Sequence, residues 1–106
     1  MRLRFFFDPG SGASFWTADA DAHARFADYP VETEKLALPA ALAARGEALI
    51  ARFDTSIDWE DPGGPGGWTA AEFARFAAEA RAYLAEVAAF HPDIAFEDCL
   101  RTPAAT

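Results

Sequence analysis

The chain is poor in the residues that usually announce a chemistry. It has one cysteine, Cys99, in 106 residues, so no internal disulfide can form. Its two histidines, His23 and His91, lie far apart and share no motif. No set of Cys and His has the spacing of a zinc site, and no GxSxG, HExxH, Walker or Rossmann pattern occurs. Nothing therefore marks a catalytic residue, a metal ligand or a cofactor site, and a non-enzymatic protein is expected. Positive charge is also scarce. One lysine and eight arginines face seventeen acids, a formal net charge of −8. Nucleic-acid backbone and anionic membrane both attract basic surfaces, so neither is expected as a partner. No apolar run is long enough to span a membrane, and the opening MRLRFFFDPG is too short for a signal peptide. A cytoplasmic location is the expectation that follows.

What the chain does have is apolar bulk. Ten phenylalanines and three tryptophans contribute to a 52% hydrophobic composition, which excludes a disordered chain. A length of 106 residues supports one domain, 1–106, with a core that needs no staples.

Residues 2–7 alternate as a strand, with Leu3, Phe5 and Phe7 on one face and Arg2, Arg4 and Phe6 on the other. Phe6 makes the second face less polar than a solvent face should be. Asp8-Pro9-Gly10-Ser11-Gly12 is a turn cluster, and residues 13–17 can return as the second strand of a hairpin. Residues 17–28 suggest a short helix capped by Thr17, ended by Pro30, with an ambiguous stretch around Val31 that allows an edge strand. Residues 39–53 give a better helix, with Leu42, Gly46, Leu49, Ile50 and Phe53 on its stripe. Gly46 at mid-helix points to close helix packing. Residues 69–90 carry the strongest pattern. Thr69 and Glu72 form a capping box, and Trp68 with Phe73 has the spacing of a hydrophobic staple. The stripe runs Phe73, Phe76, Ala77, Ala80, Tyr83, Leu84, Val87, Phe90, with Arg75 and Glu79 paired outside. Ile94 and Phe96 alternate as a last strand. The expected fold is α+β: a small antiparallel sheet, made of the N-terminal hairpin and the C-terminal strand, packed on two or three helices.

Charge, aromatics and loop residues concentrate together in one place, FDTSIDWEDPGGPGGWT at residues 53–69. Asp54, Asp58, Glu60 and Asp61 flank Trp59 there, followed by a Pro/Gly run and Trp68. A long helix–helix connection of this kind is usually functional or disordered, and two tryptophans at its base argue for an anchored loop. A calcium-loop reading fails, because Trp59 stands where the EF-hand needs glycine and Pro65 where it needs glutamate. The acids supply charge for encounter with a basic protein, and Trp59 is an anchor candidate, although it can equally serve the core.

FFFDPGSGASFW, FDTSIDWEDPGG and a tryptophan opening a long helix together resemble small acidic bacterial proteins of about this length. They also resemble the immunity proteins that accompany polymorphic toxins. That resemblance implies an inhibitor that binds a cognate toxin domain and blocks it. Asp54, Asp58, Trp59, Glu60 and Asp61 are then the expected partner-binding residues. An acidic adaptor of another partner and, third, a metal-dependent enzyme are the alternatives.

Overall fold

Leu3 and Phe5 alternate with Arg2 and Arg4, and β1 (Arg2–Phe5) forms with both apolar side chains fully buried and both arginines exposed. The computed structural model describes residues 1–57, 60 and 67–100. The expected hairpin follows. Gly10 and Gly12 take φ values of 79° and 70°, where a side chain would be strained, and Ser11 N–H donates to the Asp8 carbonyl at 3.1 Å. β2 (Phe15–Thr17) then pairs antiparallel with β1, setting Phe15 opposite Phe5 and Trp16 opposite Arg4.

The first helix starts later than its sequence suggests. Thr17 is held in the sheet, paired with Leu3, and the cap of α1 (Ala20–Phe26) is Asp19, whose Oδ1 accepts the Ala22 N–H at 2.8 Å. β3 (Pro30–Val31) adds the edge strand allowed around Val31, and proline suits it because an edge needs no donor on its outer side. A 3-10 turn (Thr33–Leu36) leads to α2 (Ala40–Asp54), then α3 (Ala70–Phe90) and β4 (Ala95–Asp98).

The sheet order is β3-β2-β1-β4. The architecture is α+β with a small sheet, as expected, but the sheet is mixed. β4 runs parallel to β1, with Leu3 opposite Phe96 and Phe5 opposite Asp98, where an antiparallel strand was expected. Helix length is the reason. α2 ends beside the hairpin turn, where Asp54 accepts the Gly10 N–H. α3 starts at that end and its 21 residues carry the chain back ~31 Å. β4 therefore enters beside Met1, where Ala95 N–H donates to the Met1 carbonyl at 2.9 Å, and has to run with β1.

Leu3, Phe5, Phe15 and Ile94 meet Leu49, Phe76, Tyr83 and Val87 in one core cluster, with Phe7, Phe53, Leu84 and Phe96 half-buried against it. Trp16 is buried on the opposite face of the sheet. Its ring stacks on Phe6 at 4.7 Å, its Nε1 donates to the Phe6 carbonyl at 3.0 Å, and Tyr29 leans on it. This explains the apolar Phe6 on an otherwise charged face. Phe90, expected on the buried stripe of α3, is 56% exposed. The stripe passes from Val87 to His91 instead, whose Nε2 lies 2.6 Å from the Leu36 carbonyl.

α2 and α3 run antiparallel. Arg45 pairs with Glu86 and Arg52 with Glu79 along their exposed side, so Glu79 bonds across the helices in place of the expected Arg75. Such surface pairs contribute at most ~1 kcal/mol each. The close contact is at Gly46, where an added Cβ would collide with the Tyr83 hydroxyl and lie 2.7 Å from its Cζ. Tyr83 is fully buried and its hydroxyl has no hydrogen-bond partner among the described residues. Gly46→Ala should therefore destabilise by roughly 1–3 kcal/mol through overpacking, against the ~1 kcal/mol that alanine favours in a helix. A raised melting temperature for Gly46→Ala would contradict this contact.

Burial pushes the Tyr83 hydroxyl up to about 12. The folded value exceeds the unfolded value of about 10, so this contribution to stability is complete below pH 10 and is lost as pH rises toward 12. Tyr83→Phe cannot lose it. Above pH 10 the variant should gain on the wild type in thermal melts. Parallel alkaline curves would show that the hydroxyl is hydrated.

Candidate partner-binding site

The site is built where three chain segments end together. Phe7, just past β1, packs on Phe53 at 5.3 Å and on Phe76 at 5.0 Å. Trp68 closes the cluster from below α3, 5.1 Å from Phe73 and 5.2 Å from Phe76. It is the staple residue expected from sequence: Thr69 is the N-cap, its Oγ1 accepts the Glu72 N–H at 3.1 Å, and Phe73 lies one turn into the helix. The Trp68 Nε1 donates to Thr55 Oγ1 at 3.2 Å, and that hydroxyl donates to the Arg52 carbonyl at 2.7 Å.

These bonds tie the two feet of the α2–α3 connection. Ser56 is buried, its N–H donates to the Phe53 carbonyl at 2.9 Å, and its own carbonyl accepts the Gly67 N–H at 3.2 Å. The chain thus leaves at Ser56 and returns beside it at Gly67. The two feet of the connection are tied to each other.

Of the five expected contact residues, two are described. Asp54 is the last residue of α2 and half-buried, and its Oδ1 accepts the Gly10 N–H at 3.0 Å, joining the helix to the hairpin turn. Glu60 is exposed. Asp58, Trp59 and Asp61 lie outside the described residues, as does the Pro/Gly run at 62–66.

Beside the loop's base opens a cleft of about 550 Å³. Phe6, Phe7 and Pro9 form one wall, and Phe53 with Ile57 a second. Phe73, Phe76 and Ala77 of α3 face them, and Cys99 and Leu100 complete it after β4. Ser56 and Asp8 are its polar groups besides the exposed Cys99 thiol. Its size falls within the roughly 300–1,000 Å³ typical of ligand clefts, and apolar walls with few polar groups are their usual composition. Sequence reading missed the cleft because its walls come from four separate segments. No single residue signals it, since Phe6, the lining residue on the unexpected face, is accounted for by its stacking on Trp16. Cys99, the one cysteine, stands at the cleft wall.

His23 is exposed on α1, and His91 is occupied at the end of α3. Among the described residues no group of three or more His, Cys, Asp or Glu side chains comes together as a metal site would require, and no helix is long and apolar enough to cross a membrane. Comparison with known protein families and with curated proteins finds no match to this chain.

Trp68→Ala should cost about 2–3 kcal/mol, below the ~3–5 of a fully buried tryptophan because the residue is only partly buried. In a chain of this size that lowers the melting temperature by roughly 8–20 °C. An unchanged melting temperature would remove Trp68 from the structural junction and make it a contact residue.

Proposed function

We propose that the chain is an inhibitor of the immunity type, which binds a basic toxin domain in the cytoplasm and blocks it without chemistry of its own. The supporting observation is an apolar cleft beside Ser56 and Gly67, the tied feet of the α2–α3 connection, on a chain of net charge −8. An inhibitor needs surface charge for fast encounter and a desolvated anchor for long residence. The loop supplies the first and the cleft a place for the second. The resemblance of FFFDPGSGASFW, FDTSIDWEDPGG and the helix-opening tryptophan to immunity proteins points the same way.

Co-expression with a tagged, catalytically disarmed toxin domain encoded beside this gene tests the reading. A stable one-to-one complex supports it, and separate elution of the two proteins opposes it. Replacing Asp58, Glu60 and Asp61 by Asn, Gln and Asn should leave the melt intact and slow association about tenfold or more at low salt, with a flatter salt dependence. A variant that associates at the wild-type rate would place the electrostatic contact elsewhere on the molecule.

A further inference from the structure

The cleft has a sign of charge as well as a shape. Its described lining contains one carboxylate, Asp8, and no lysine or arginine. Asp54 lies between two lining residues, Phe53 and Ser56, with its carboxylate on the adjoining Gly10 N–H. Arg81, one turn along α3 from Ala77, is engaged by Asp98 at 2.7 Å, and Arg52 by Glu79. An apolar hollow whose one charged lining group is a carboxylate, on a chain of net charge −8, favours an occupant that is apolar at its tip and basic around it.

We propose that this cleft is a socket for one large apolar side chain, aromatic or leucine, presented by a basic segment of a protein partner. The inference rests on the inhibitor reading for the claim that the occupant belongs to a protein. A second copy of the chain is a poor occupant, because each copy carries −8. Residues 101–106, RTPAAT, hold no large apolar side chain to offer. An aromatic anchor entering a desolvated pocket, ringed by contacts that exclude water, is the arrangement that dominates binding energy in protein interfaces.

The test needs no toxin. Amide NMR spectra of the whole chain are followed during titration with three capped heptapeptides. The first has a central phenylalanine between lysine–arginine pairs, the second replaces that phenylalanine by alanine, and the third keeps it between aspartate–glutamate pairs. The basic phenylalanine peptide should shift the amides of Phe6, Phe53, Phe73 and Cys99. The alanine and acidic peptides should each bind about tenfold or more weakly. Alkylating Cys99 with N-benzylmaleimide should abolish the shifts while the thermal melt stays cooperative, and Cys99→Ser, left unmodified, should bind as wild type. Equal binding of the basic and acidic peptides, equal binding of the alanine peptide, or undiminished binding by the benzyl adduct overturns the proposal. So does silence in all titrations, and so does tighter binding by Trp59→Ala, which would make this chain's own tryptophan the occupant. A chain that inhibits a basic toxin yet fails with peptides keeps the inhibitor reading and loses the socket. Peptide binding without any toxin partner keeps the socket and removes the inhibitor.

Discussion

Phe7, Phe53, Phe76 and Trp68 meet at the one point where β1, α2 and the start of α3 all arrive. The rest of the molecule depends on that aromatic junction. Phe5 and Phe7 carry it into the sheet, edge to face at 5.3 Å, and Phe5 continues it to Phe15 and Tyr83. Pairs of this geometry contribute ~0.5–1.5 kcal/mol beyond the area they bury. The junction fixes where α2 stops, and so fixes the feet of the acidic loop. It also sets the starting point of α3, whose length then decides the direction of β4. The cleft lies over the same rings, because Phe7, Phe53 and Phe76 are half core and half wall.

The parts of this arrangement that were readable in the sequence are local ones. Gly10 and Gly12 signalled the hairpin because only a positive φ closes that turn. Thr69, Glu72 and Trp68 signalled the start of α3 because cap and staple occupy fixed offsets from it. Gly46 signalled a close approach, and Tyr83 is what approaches it. The unreadable parts depend on distance along the fold. The direction of β4 depends on where a 21-residue helix delivers the chain, which no strand pattern records. Thr17 looked like a cap until its pairing with Leu3 took it into the sheet. The cleft draws on residues from Phe6 to Leu100, and no local pattern records it.

The acidic stretch illustrates the division between scaffold and contact. Asp54 has a structural bond to the hairpin turn, so part of the charge that looked free for a partner also orders the fold. Ser56 and Thr55 hold the loop's base through backbone and tryptophan contacts. With Asp54 at that base, negative charge stands next to an apolar hollow. A small acidic inhibitor needs that combination when its target is basic, since charge alone gives fast but short-lived encounters.

Hydrogen exchange with and without a co-purified basic toxin domain tests the account most directly. The account predicts that added protection gathers at the cleft and the loop's feet, at residues 6–10, 53–57, 67–68 and 73–77 and around Cys99. Protection confined to α1, to the β3 edge or to the exposed side of α2 and α3, with the cleft unchanged, would contradict it.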